Sequence, residues 1–439
     1  MKKLASWLFA FALLFSLALP TAASANTDAM KFLVDGVEVE GYEQPFMSHG
    51  DVLIPVENLF EEAGFKVTKG KNSAVSVTNT YLTVDFNAAG KSITVNGKKA
   101  ATEFPLTLKN AGNYISGEFL ASLEGFDVEI SEDEKTVNVT TNRVQDVDAF
   151  LKKTMEADLK SFSADMKMDM NMETAIEELG SVDMQMDMKM DVIQEPMAMY
   201  MAMNMLMKAA GEKENMDMEM YFTEDGVYQK FDDVWVKDEM SQELLEAQLD
   251  SANMLEQFEL LKTFMKGVHV YEYADSYVVV QKISTEDLKE MISEVMALLP
   301  TMLPAELLGG DMEIPEVTEE EVEGVETTEE ESDEVVFEEE LPFEDLDGLL
   351  EMLNLDIKEF YTVSTYDKKT LFPHDMSGTV HMTMSPEGED VSIKMTMSGK
   401  YKNHNNVKEI KVPADVIKNA IPMEQYFEDL SKEFEAQAK

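Results

Sequence analysis

The chain has 439 residues, 44% of them hydrophobic, with no cysteine, 35 methionines and a formal net charge of −51. The lack of thiols excludes disulfide staples, thiolate metal sites and a lipid-modified N-terminal cysteine, so stability has to come from buried cores. The charge excludes nucleic acid as a partner, because neutralising phosphates requires clustered Lys and Arg.

Residues 1–25 have the form of a secretory signal peptide: a basic start at Lys2 and Lys3, an apolar stretch from Leu4 to Leu19, and the small-residue site Ala23-Ser24-Ala25. The apolar run is short for a bilayer and ends at Pro20, and no later stretch is apolar enough to span. The expectation is an exported chain, secreted or wall-associated, with no transmembrane anchor after cleavage.

Comparison of the early region with itself shows a repeat at an offset of 61 residues. Val34-Asp35-Gly36 matches Val95-Asn96-Gly97, a strand-turn signal in both copies. "LIPVENLFEEAGFKV" lies over "YISGEFLASLEGFDV", matching Ile54 with Ile115, Glu57 with Glu118, Leu59 with Leu120, Gly64 with Gly125 and Phe65 with Phe126. Val56, Leu59, Phe60 and Ala63 are spaced to form one helix face, with Gly64 as a left-handed cap. The alternation in "AVSVTNTYLTVDF" then predicts a half-buried hairpin.

With these blocks in view, residues 31–141 resemble the copper amine oxidase N-terminal domain-like, or stalk, modules of exported Gram-positive proteins. Ser116-Gly117 departs from the first copy, which has Pro55-Val56. The resemblance implies attachment or interaction at the cell envelope and does not extend to oxidase chemistry. That chemistry uses three histidine ligands in a separate catalytic domain, whereas the five histidines here, His49, His269, His374, His381 and His404, include no His-x-His.

A second domain is expected over 146–439. A helix near 146–160 leads into strands with methionine at alternate positions: "DMKMDMNM" at 165–172, "DMQMDMKM" at 183–190, "MAMYMAMNMLM" at 197–207 and "MDMEM" at 216–220. Asp225-Gly226 and Asp232-Asp233 mark hairpins. Amphipathic helices are predicted over 241–266 and 285–299, the second opened by Ser284 and Asp287 in a capping arrangement. Residues 311–347 hold nineteen Asp or Glu and no Lys or Arg, the composition of a solvated, disordered insertion. A strand meander follows, with turns at Asp367-Lys368 and Pro386-Glu387-Gly388, then a short helix from Pro413 and a polar C-terminal helix.

"GVYQKFDDVWVK", with Tyr228, Trp235 and Lys237, and the ending "YKNHNNVKEIKVPADVIKNA" are similar to a largely uncharacterised family of bacterial envelope proteins patterned like lipid-carrier lipoproteins. That resemblance implies a strongly bent sheet closed by helices over an apolar cavity. The cysteine anchor usual in such proteins is absent here. The expected fold is therefore α+β: a duplicated small stalk domain, then a curved antiparallel sheet, a half-barrel, with helices on one face.

The methionines are the main candidate site. Alternation places Met166, Met168 and Met170, then Met184, Met186 and Met188, then Met199, Met201 and Met203, then Met218 and Met220, on the apolar sides of their strands. Branched residues make better strands, so methionine points to a soft, adaptable surface such as a cavity wall for a lipid-like ligand. A plain packed core, a Cu(I) or Ag(I) site on the same thioethers, and sacrificial oxidation all fit the pattern as well. His381 falls on the strand face opposite Met382 and Met384 and reads as an exposed strand residue. No phosphate loop, nucleophile elbow or His-Glu-x-x-His is present, so no enzyme and no cofactor are expected. The partners expected are a hydrophobic small molecule or lipid and an envelope protein or cell-wall contact.

Overall fold

The turn dipeptides Asp35-Gly36 and Asn96-Gly97 both adopt left-handed backbone, with φ of 50° and 82° in the first and 48° and 73° in the second. That conformation matches the twist of a tight hairpin, which is why Asp, Asn and Gly stand there. The computed structural model describes residues 30–39, 43–71, 74–87, 92–100, 106–109, 112–174, 180–209, 212–231, 234–238, 264–302, 354–385 and 390–437. The expected signal peptide, the Asp232-Asp233 and Pro386-Glu387-Gly388 turns, the acidic tract and nearly all of the 241–266 helix lie outside them. The described residues form two compact units, one running to Val147 with His269–Val278 added, the other holding Asp148–Val268 and Val279 onward.

The first unit begins with β1 (Lys31–Val34), β2 (Val37–Glu38), β3 (Phe46–Ser48), β4 (Asp51–Pro55) and helix α1 (Val56–Glu62). It continues through β5 (Lys66–Lys69), β6 (Ala74–Thr78), β7 (Thr83–Asn87), β8 (Ser92–Val95) and β9 (Lys98–Lys99). It ends with β10 (Leu106–Lys109), β11 (Gly112–Ser116), α2 (Gly117–Ala121), β12 (Phe126–Ile130) and β13 (Thr136–Thr141). These strands make three small sheets, ordered β12-β13-β1-β2, β10-β11-β4-β3 and β5-β6-β7-β8-β9.

Several residues matched by the 61-residue offset meet in space. Ile54 and Ile115 are cross-strand partners between β4 and β11, and the rings of Phe65 and Phe126 lie 5.9 Å apart. Gly64 and Gly125, at φ 84° and 87°, are left-handed in the turns that lead from the two helices into β5 and β12. Phe60 joins Phe65, Phe86 and Phe126 at 5.1 to 5.9 Å in one aromatic core, the helix face predicted from its spacing.

The Ser116-Gly117 departure has a physical reason. Ser116 caps α2 by accepting a hydrogen bond from the Phe119 N–H at 3.2 Å. A Cβ at Gly117 would lie 2.5 Å from Val52 Cγ1, so the second copy has no room for the valine of the first.

Residues 269–278 complete this unit. Tyr271 and Tyr273 are buried. Tyr273 stacks on Tyr81 at 4.2 Å and accepts a 2.7 Å hydrogen bond from the Asn79 side-chain amide. Tyr271 sits where a Cβ on Gly64 would reach, 2.5 Å from its hydroxyl oxygen. Burial pushes both phenols above the ordinary tyrosine value.

The second unit opens with α3 (Val147–Met155), as predicted, followed by β14 (Ser161–Thr174), β15 (Ser181–Ile193), β16 (Ala198–Ala209) and β17 (Glu212–Thr223). Shorter strands β18 (Gly226–Phe231) and β19 (Val234–Asp238) follow, then the hairpin of β20 (Val268–Glu272) and β21 (Ser276–Lys282), whose residues 269–278 are counted with the first unit, and then α4 (Thr285–Met302). The meander is β22 (Asp356–Asp367), β23 (Pro373–Met384) and β24 (Val391–Lys402), and the chain ends in α5 (Ala414–Asn419), β25 (Ile421–Pro422) and α6 (Met423–Gln437). Among the described residues these strands form one curved twelve-stranded sheet, β20-β21-β22-β23-β24-β14-β15-β16-β17-β18-β19-β25, whose end strands do not pair to close a barrel.

The α4 cap is the predicted reciprocal pair: the Ser284 N–H donates to Asp287 at 3.0 Å and Asp287 N–H donates to Ser284 Oγ at 3.1 Å. One expectation is corrected. Strand dominates over helix, and the described helices do not gather on a single sheet face. Val416 of α5 packs on the Tyr228 face, while Tyr426 of α6 stacks at 5.3 Å on Phe231, which belongs to the other face.

The "NHNN" turn after β24 ties that strand to the start of β14. Asn405 is left-handed at φ 57°, and its side-chain oxygen accepts from the N–H groups of Lys160 (2.6 Å) and Ser161 (3.3 Å). Its amide donates to the Asp158 carbonyl at 2.8 Å. Asn405→Ala removes all three bonds, and a loss of about 2–3 kcal/mol is expected in denaturant unfolding. Gly117→Ala should cost ~1–3 kcal/mol through overpacking, and Val52→Ala should cost less in that background than alone, a coupling that a double-mutant cycle measures directly.

Candidate functional site

In an antiparallel sheet the side chains directly opposite one another on neighbouring strands share a face, and their Cβ atoms lie about 4.5–5.5 Å apart. Alternation alone therefore could not say whether methionines on different strands meet; register decides that. The register aligns them. Met168 opposes Met186 on one side and Met397 on the other, Met186 opposes Met205, and Met205 opposes Met216. This row crosses five consecutive strands. A second row runs Met395, Met170, Met184, Met207, a third Met166, Met188, Met203, Met218, and a fourth Met190, Met201, Met220.

Ten of the eleven residues singled out by alternation fall in these rows, and Met199, opposite Val192 and Phe222, extends the same face. Reading strand by strand missed the contribution of β24, Met395 and Met397, although "KMTM" at 394–397 carries the same signal. Met205, Met207 and Met216 belong to the lattice for the same reason. His381 alternates away from Met382, as predicted, but is half-buried, with Ser392 Oγ 3.4 Å from its Nε2.

The two faces differ in kind. The methionine face is half-buried: among the described residues none of its methionines reaches the fully buried core, and Met216 is 42% exposed. The opposite face is wet and paired across strands. Lys167 contacts Asp187 at 2.9 Å, Lys402 pairs with Asp165, Asn171 donates to Asp183 at 2.9 Å, Gln185 to Asp169 at 3.1 Å, and Asn204 to Asp217 at 2.6 Å. The hydrogen bond from Lys167 to Asp187, with the Coulomb attraction between them, raises the lysine pKa. Tyr200 is on this face, where burial first and the Glu219 charge second push its pKa up to about 12.

Beyond the lattice, Tyr228 and Trp235 from "GVYQKFDDVWVK" form a small separate core with Val412, Val416 and Ala420 from the C-terminal motif. The two sequence blocks that carry the envelope-protein resemblance thus pack against each other. Among the described residues no three His, Asp or Glu side chains gather as a metal site, and no helix is long and apolar enough to cross a membrane.

Fold and face together define a stalk-type module joined in one chain to an open, methionine-faced antiparallel sheet. The chain belongs to the family of unknown function DUF6612, whose model matches residues 146–318 and 328–421. Residues 33–139 match the copper amine oxidase N-terminal domain, and the match is to that domain alone. Among solved structures, LprF from Mycobacterium bovis aligns with 62% of this chain and 99% of its own at 10% identity, with a TM-score of 0.22, too low to establish a common fold. No curated protein matches in sequence.

The Tyr200 phenol gives a pH test. Its folded pKa lies above the ordinary value of 10.0, so the stability it contributes is complete below pH 10 and is lost as pH rises towards about 12. Tyr200→Phe should remove one tyrosine from the absorbance step near pH 12 and leave the earlier steps unchanged. Loss from a step near pH 10 instead would show that the phenol is solvated.

Proposed function

We propose that this is an exported, non-catalytic cell-envelope protein whose N-terminal module serves attachment or protein contact and whose methionine face binds a hydrophobic, lipid-like ligand. The observation that carries the second part is the in-register methionine lattice left half-buried. A face meant only as core would be sealed, and branched side chains would form better strands. Thioether side chains have several rotatable bonds and a polarisable sulfur, so they re-pack around acyl chains of varied length and shape. The resemblance of residues 146–422 to lipid-carrier patterning points the same way.

Support for the first part comes from the copper amine oxidase N-terminal match over residues 33–139 and from the signal-like sequence at residues 1–25. The reading of residues 31–141 as a duplicated stalk rests on matched residues that pair across β4 and β11 and in the aromatic core. Taken as domains, residues 31–141 are the stalk and 146–439 the ligand-binding domain, interrupted by the acidic insertion at 311–347.

The test is native mass spectrometry of the chain purified from its own host, followed by denaturation to release bound molecules. A released acyl-chain compound is expected from wild type and from Met186→Leu, which keeps the face apolar. Met186→Lys, which places a charge in the middle of the five-methionine row, should abolish it. Wild-type protein carrying no apolar molecule, or retention of the molecule by the lysine variant, sinks the carrier reading.

A further inference from the structure

Two neighbouring strands of the sheet carry the same tripeptide, Met376-Ser377-Gly378 in β23 and Met397-Ser398-Gly399 in β24. Antiparallel register pairs the tripeptides head to tail: Met376 opposes Gly399, Ser377 opposes Ser398, and Gly378 opposes Met397. On the methionine face this makes a checkerboard in which each thioether lies across from a glycine.

The glycines leave a notch into which side chains fold. A Cβ at Gly399 would lie 2.7 Å from Met376 Cγ, 3.2 Å from Met376 Sδ and 3.5 Å from Met166 Cγ. Met376 and Met166 belong to the strands on either side of Gly399 and so converge over it from opposite directions. At Gly378 the corresponding neighbours are Met397 Cγ at 3.0 Å, the Thr362 methyl at 3.1 Å and Met397 Sδ at 3.3 Å. The Tyr401 hydroxyl donates to Met376 Sδ at 3.6 Å, which fixes that sulfur while a second lone pair stays free. All three methionines are half-buried, so the notch remains reachable.

We infer that Met166, Met376 and Met397 form a thioether site for a soft monovalent cation, Cu(I) or Ag(I), in the notch over Gly378 and Gly399. Neutral thioethers are poor ligands for hard or divalent ions and good ones for these. Leucine or isoleucine across from each glycine would fill the same gap with equal or better strand propensity, so packing does not account for sulfur at every position. Elsewhere on the face, methionines along one strand stand about 6.5–7 Å apart and cannot share an ion without bending. Over Gly399 the side chains of Met376 and Met166 instead fold toward one point, within 2.7 and 3.5 Å of where a Cβ would stand. The net charge of −51 favours cation approach. This inference does not depend on the lipid reading, nor on the copper in the name of the N-terminal family, which concerns residues outside this sheet.

The experiment titrates the full chain, in chloride-free buffer, with Ag(I) and follows bound metal by native mass spectrometry and the methionine methyl resonances by NMR. Wild type should take up one tightest equivalent that shifts the methyl signals of Met166, Met376 and Met397 first. The variant Met166→Leu/Met376→Leu/Met397→Leu, which keeps the face apolar, should lose that equivalent, whereas Met170→Leu/Met184→Leu/Met207→Leu should keep it. Gly399→Ala keeps every sulfur but pushes Met376 aside, and about tenfold weaker Ag(I) binding is expected from it. Retention of the first equivalent by the notch variant, equal loss in both triple variants, or no uptake by wild type overturns the site. Because the leucine variants leave the apolar face intact, any co-purifying lipid reports on the carrier reading separately.

Discussion

Register in the antiparallel sheet is the constraint from which the rest follows. Side chains alternate with a period of two, so a slip of one residue would turn the methionine side of every strand to water and its charges inward. A slip of two residues is subtler, because methionine would still oppose methionine. The wet face prevents it. Moving β15 by two in one direction sets Lys167 against Lys189 and Asp169 against Asp187; in the other it sets Asp169 against Asp183 and Asp165 against Asp187. Individually such exposed pairs contribute little. As a set they distinguish one alignment from its near-degenerate neighbours, and that alignment builds the rows.

The two units solve the stability problem differently. The N-terminal unit depends on an aromatic core, with Phe65, Phe86 and Phe126 gathered around Phe60 and Ile54 and Ile115 sealed between strands. The large sheet leaves its central apolar face half-covered and concentrates buried packing near its margins. Tyr228 with Val412 and Val416 lies toward one margin, and Val280, Tyr361 and Val363 lie toward the other. A sheet supported at its margins can keep a soft centre without losing its alignment.

Much of this was legible in the sequence because it is local. The Asp35-Gly36 and Asn96-Gly97 turns, the α1 face, the Ser284 cap and the alternation of the long strands depend on neighbours a few residues apart. What was not legible depends on distant partners. The convergence of Met166 and Met376 needs β24 between β14 and β23, a relation spanning more than two hundred residues of chain. Asn405 looked like one polar residue among several until its contacts with residues 158–161 appeared. The expectation of helices on one face failed because periodicity identifies a helix's apolar side but not which face of a sheet receives it.

Tyr271 and Tyr273 carry a practical consequence. They lie well over a hundred residues downstream of the last strand of the N-terminal unit, yet they are part of its interior, against Gly64, Asn79 and Tyr81. A fragment ended after Thr141, the boundary that homology to the stalk module recommends, would leave Asn79 without its buried phenol and open the surface around Gly64 to water. Boundaries drawn from family matches and boundaries drawn from packing do not coincide in this chain, and a soluble N-terminal fragment has to carry a substitute for that hairpin.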